Sequence, residues 1–99
     1  MNVWYPSVDD IADINITALD IGRDKHPHRL LYPRSGVQAV IDRVRASEDR
    51  GLNYQAALMI KELARSHLFA GGNHRTAYLV AKCFLRRNGK RFKVARLDD

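Results

Sequence analysis

Apolar residues recur at three- and four-residue spacing in four separate stretches of the chain, the period of a helix buried along one side. In the first stretch Val8, Ile11, Ile14, Ala18 and Ile21 form the stripe, Ser7 stands at the capping position, and Gly22 ends the run. The second runs from about Ser35 to Ser47, with Val37, Val40, Ile41 and Val44 on one face and Gln38, Asp42, Arg43 and Arg45 on the other. The third is expected to start at Asn53 and reach about Phe69, burying Ala57, Ile60, Leu63 and Ala64. His67 lies on the continuation of that stripe, and Gly71-Gly72 breaks it. The fourth runs from about Asn73 to Arg87 with Ala77, Val80, Ala81 and Phe84 inward. Asn88-Gly89 is its stop signal, and Arg86 and Arg87 suit its negative end. The pattern predicts one all-α domain over residues 1–99.

Between the first two helices, Arg23 to Arg34 carries two prolines and reads as a loop or short extended hairpin. Leu30, Leu31 and Tyr32 are apolar for an exposed loop; they either pack on the core or form a flap over a site. The tail from Lys90 alternates enough to be a short strand or an irregular arm.

Composition narrows the picture only slightly. With 99 residues, 45% hydrophobic and 28% charged, the chain has material for one core. No apolar run approaches the ~18 residues that mark a membrane span. The N-terminus lacks the basic-then-apolar layout of a secretory signal, so a cytoplasmic protein with no membrane partner is expected. The single cysteine, Cys83, falls in an apolar helical pattern and reads as a small buried hydrophobe. Seventeen Lys and Arg against eleven Asp and Glu leave a net charge of +6. Such a surface attracts phosphates, nucleic acid or an acidic protein, and it also serves plain solubility.

The segment from His67 to Thr76 carries the chemistry. A helix is expected to end at Gly71-Gly72 and another to begin at Asn73. Glycines free the backbone to turn sharply, so successive N–H groups can face one concavity and hold an anion. The next helix adds unpaired N–H donors and a positive dipole end. Arg75 brings a forked guanidinium suited to phosphate. Asn73 can cap the helix and hold the turn, Phe69 anchors the loop in the core, and His67 can take a proton from an attacking hydroxyl. Each residue singly has an ordinary explanation, whether helix corner, satisfied histidine or surface arginine. The combination in this order points to a phosphate beside a histidine.

His67-Leu68-Phe69, Gly72-Asn73 and Arg75-Thr76-Ala77 resemble the signature of the Fic/Doc family, His-x-Phe-x-acid-Gly/Ala-Asn-x-Arg. Within that family the likeness is greatest to the death-on-curing (Doc) toxins, which share Asn-x-Arg-Thr-Ala and an apolar helix ending as Phe84 to Gly89 does here. The early segment Val37 to Val44 is also similar to the second helix of that group. The resemblance implies a small helical bundle with a flap, ATP as donor, and transfer of AMP or phosphate to a protein hydroxyl. For the death-on-curing branch it implies a toxin that phosphorylates a translation elongation factor and is neutralised by a small antitoxin. By position, His67 would be the general base. Gly71, Gly72 and Asn73 would form the anion hole, Arg75 would bind nucleotide phosphate, and Leu30 and Leu31 would belong to the flap.

The chain departs from the family at three points. Gly71 occupies the position of the acid that binds magnesium in active relatives, which leaves magnesium use and catalysis open. His74 replaces the glycine of AMP transferases and the lysine of the death-on-curing toxin. A bulky basic group there crowds the AMP-transfer pose and favours contact with a terminal phosphate; a solvent-exposed helix residue is the other reading. Tyr78 likewise stands where AMP transferases carry a second arginine. Lastly, the chain stops at Asp99, so a C-terminal helix of the family is expected to be missing, its place open to an antitoxin segment.

Three functions therefore compete: a kinase- or adenylyltransferase-type toxin, an anion-binding relative without catalysis, and a nucleic-acid binder. The last rests on Lys82, Arg86, Arg87, Lys90, Arg91, Lys93 and Arg96 and ranks lowest, because Phe92 is the sole aromatic among them. His26, His28, His67 and His74 match no structural zinc spacing.

Overall fold

The computed structural model describes residues 2–21 and 34–91. They form four α-helices and one short 3-10 turn, with no β-strand among the described residues. The helices are α1 (Val8–Ile21), α2 (Arg34–Ala46), α3 (Leu52–Ser66) and α4 (Asn73–Arg87), and the turn Glu48–Arg50 links α2 to α3. The all-α class expected from the apolar period is what the chain adopts.

The first helix opens with a reciprocal cap. Asp10 N donates to Ser7 Oγ at 3.0 Å and Ser7 N donates to Asp10 Oδ2 at 2.8 Å, satisfying donors that the first turn leaves unpaired. Val8, Ile11 and Ala18 face the core as their spacing predicts. Ile21 does not; it is 61% exposed, and Asn15 and Leu19 are buried instead. In α2 the match is complete, with Val37, Val40, Ile41 and Val44 buried and the four named polar residues outside.

The third helix needs two corrections. It begins after Gly51, which caps it with φ 94°, so Asn53 is an exposed residue of the first turn rather than the cap. Its buried stripe is Ala56, Met59 and Leu63 with Gln55, whereas Ala57 is exposed and Ile60 and Ala64 are half-buried. Adjacent alanines carry too little apolar area to set the phase of a helix. Met59, the larger side chain, takes the core and turns the stripe by one position.

The fourth helix occupies the centre. It packs on α3 and α1, while α2 packs on α3. Ala77, Val80, Ala81 and Phe84 have no exposed surface at all, and the two alanines let neighbouring helices approach. Cys83 is half-buried rather than buried; it lines a groove between α1 and α4 with Ile14 and Leu79.

The N-terminal segment meets the end of α4 at Asn88. Its side chain accepts from Trp4 N at 2.8 Å and donates to Trp4 O at 3.0 Å and Phe84 O at 2.8 Å. The residue that stops α4 therefore also staples the N-terminal segment across it. No helix among the described residues is long and apolar enough to cross a membrane. The expected flap, with Leu30 and Leu31, and the tail beyond Arg91 lie outside the described residues. Arg34, placed at the end of that loop by the sequence, is instead the first residue of α2, paired with Asp9 at 2.9 Å.

Candidate functional site

The α3–α4 corner departs from the sequence expectation in two respects that bear on chemistry. The third helix stops at Ser66, not at the glycines, because His67 itself turns the chain. His67 has φ 47° and ψ 51°, the left-handed conformation, and no other described non-glycine residue has positive φ. A residue with a Cβ adopts that region at a cost of ~1–2 kcal/mol, and such strain gathers at functional sites.

After His67 the loop dips inward. Leu68 and Phe69 are buried, at 5% and 3% exposure, so Phe69 is the core anchor its sequence position suggested. Asn73 then closes the loop on itself. Its Oδ1 accepts from Phe69 N at 3.0 Å and its Nδ2 donates to Phe69 O at 2.8 Å. Asn73 is thus the lock of the turn and not the cap of α4. The cap position belongs to Gly72, at φ 69° and ψ 22°. A Cβ on Gly72 would lie 3.3 Å from Leu19 Cδ2, close enough that the leucine would have to shift, so both the positive φ and the closeness of α1 favour glycine.

The first paired backbone donor of α4 is Thr76 N, bonded to Gly72 O at 2.8 Å. The N–H groups of Asn73, His74 and Arg75 precede it and find no acceptor among the described residues, as expected for a helix's first turn. Together with the positive end of the helix dipole they form an anion-attracting surface. His74 and Arg75 are exposed here, and the His67 and His74 rings stand edge-to-face with centroids 6.4 Å apart. Arg75 reaches back over α1, its Nη1 3.5 Å from Ala18 O. The corner therefore gathers His67, Gly71, Gly72, Asn73, His74 and Arg75 within one loop and one helical turn.

No protein-family model and no curated protein matches the chain.

Two residues with no role assigned from sequence prove central. Asn15 of α1, fully buried, donates from Nδ2 to Gly71 O at 3.0 Å and to Thr76 Oγ1 at 2.9 Å. Thr76 is 1% exposed. The available signal was an asparagine set between Ile11 and Ala18 on an otherwise apolar stripe, since a polar group on a buried face needs a specific partner.

A metal fits poorly. Gly71 offers no side chain, its carbonyl is engaged by Asn15, and no three His, Cys, Asp or Glu residues gather among the described residues.

Proposed function

We propose that this protein is a Fic/Doc-type transferase of the death-on-curing kind, moving a phosphoryl group from ATP to a hydroxyl of a translation elongation factor. The observation that carries this reading is His67, held in a strained left-handed turn beside the unpaired N–H groups that open α4. A merely structural corner gains nothing from a histidine there, because glycine serves that conformation without strain.

In the proposed step the target hydroxyl gives its proton to the His67 imidazole as its oxygen attacks the γ-phosphorus. A new P–O bond forms, the bond to the bridging oxygen breaks, and ADP leaves with that electron pair. Imidazolium then releases its proton to water. The N–H groups of Gly72 to Arg75 and the Arg75 guanidinium offset charge on the phosphates, which is most of what phosphoryl transfer asks of a protein. His74 stands edge-on to His67, ring centroids 6.4 Å apart, and a bulky basic side chain at this position, where AMP transferases carry glycine, supports phosphate over AMP transfer. The described residues do not fit the magnesium site of active family members, so no step is routed through a metal.

That mismatch favours one alternative, a relative that binds nucleotide or anion without transferring anything. One experiment separates the readings. Purified protein is incubated with elongation factor and either γ- or α-labelled ATP, alongside His67→Ala and Gly71→Asp. Label from the γ position alone, lost in His67→Ala, is the expected result; α label would mean adenylyl transfer. Transfer that survives His67→Ala removes the base from the mechanism. Silence in wild type with activity in Gly71→Asp identifies the anion-binding relative.

The partner this reading implies is a small acidic antitoxin, and the action it implies is cytoplasmic, where elongation factors work. The groove between α1 and α4 supports such a partner. It has Ile14, Leu79 and Cys83 as apolar lining and Lys82, Arg86 and Arg87 as cations, a surface that suits an amphipathic acidic helix folding on contact.

A further inference from the structure

The orientation of the Gly71–Gly72 peptide decides whether an anion at the corner meets a donor or an acceptor. In a trans peptide the carbonyl and the following N–H point in opposite directions, and no peptide among the described residues is cis. Whatever fixes the Gly71 carbonyl therefore fixes the Gly72 N–H. Neither flanking residue has a Cβ to resist rotation of that plane.

Asn15 supplies the restraint. Its side chain is fully buried, and its Nδ2 lies 3.0 Å from Gly71 O and 2.9 Å from Thr76 Oγ1. Gly71 O is an acceptor only, so the amide nitrogen must face it and the orientation of the Asn15 amide is settled by its partner. The same nitrogen would sit 3.6 Å from a Cβ on Gly72, which places the asparagine directly under the glycine pair. With the carbonyl drawn inward to α1, the Gly72 N–H faces away from α1.

We propose that Asn15 is a positioning residue for phosphate: by holding the Gly71 carbonyl inward it presents the Gly72 N–H to the anion and keeps a repelling oxygen turned away from it. This rests on the corner being a phosphate site, as proposed above. Asn15 itself touches no ligand. It acts through one peptide plane, on a loop that lacks the family's acidic side chain at position 71.

The test is an amide NMR titration of the whole chain with ATP and, separately, with inorganic phosphate. In wild type the Gly72 amide is expected to shift saturably together with those of Asn73, His74 and Arg75. Asn15→Leu keeps the volume and removes the donor; it should bind ATP at least tenfold more weakly and lose the Gly72 shift. Gln55→Ala, which removes a buried polar group far from the corner, should lower stability without changing affinity. If Asn15→Leu folds and binds as wild type does, the positioning role is overturned. It is equally overturned, with no variant needed, if Asn73 to Arg75 respond in wild type while Gly72 does not. If none of the four amides responds to either ligand, the phosphate reading itself fails.

Discussion

His67 carries two costs that a glycine would avoid: a left-handed backbone and the ordering of an exposed imidazole at the end of α3. Helices commonly close on a left-handed residue, and glycine is the usual choice because it has no Cβ to clash. His67→Gly is therefore expected to stabilise the protein by about 1 kcal/mol, raising the melting temperature by about 4–8 °C for a domain of this size. The same substitution should abolish transfer. Stability gained as function is lost marks a residue kept for chemistry. A thermal melt of His67→Gly that falls below wild type would show instead that the imidazole holds the corner together.

At the scale of elements, the junction of the N-terminal segment, the 3-10 turn and α3 is organised by Tyr5. Its hydroxyl donates to Glu48 Oε1 at 2.6 Å and accepts from Gln55 Nε2 at 2.8 Å, while Arg45 lies over its ring. Burial, then the hydrogen bond to Glu48, push the Tyr5 phenol above its usual value of 10.0. A raised pKa in the folded state means the neutral phenol stabilises the fold fully below pH 10, and that stability fades as pH climbs through the folded pKa. Tyr5→Phe should thus cost about 1–2 kcal/mol at pH 7 and show a shallower decline above pH 10 than wild type. Urea unfolding across pH 7 to 11 checks this; curves that stay parallel would place the alkaline loss elsewhere. How far the elements could be read from sequence follows the same physics. The valine-rich face of α2 and the inward face of α4 were legible because large apolar side chains fix a helix's phase. The stripe of α3 was displaced by one position where Ala56 and Ala57 left the phase open, and its end was misplaced because nothing in sequence announces a left-handed histidine. In the corner, the turn into α4 at Asn73 was legible from its glycines. The Asn15 brace was not, because its partners lie 56 and 61 residues away.

The whole molecule carries a net charge of +6, and much of it is gathered at the far end of α4, where Lys82, Arg86, Lys90 and Arg91 line one depression with Gly89. Arg86 lies roughly 20 Å along the helix from Asn73, at about 1.5 Å per residue. This cluster cannot touch a phosphate at the corner, but its field can reach one. Screening decides the outcome: the Debye length is about 8 Å at 0.15 M salt and about 30 Å at 0.01 M. Reversing two charges with Arg86→Glu and Lys90→Glu changes the local charge by four. Against a triphosphate of charge about −4, that is worth on the order of 1.5 kcal/mol at low salt and only a few tenths at physiological salt. The double variant should therefore bind ATP about tenfold more weakly in 10 mM salt yet within about twofold of wild type in 150 mM. Arg75→Ala, by contrast, should weaken binding in both, since its guanidinium acts at contact range. Calorimetric titrations at the two salt concentrations separate a steering field from a second site. Equal losses at both would mean that nucleotide is held by the far cluster directly, and would overturn the proposal that the corner binds phosphate.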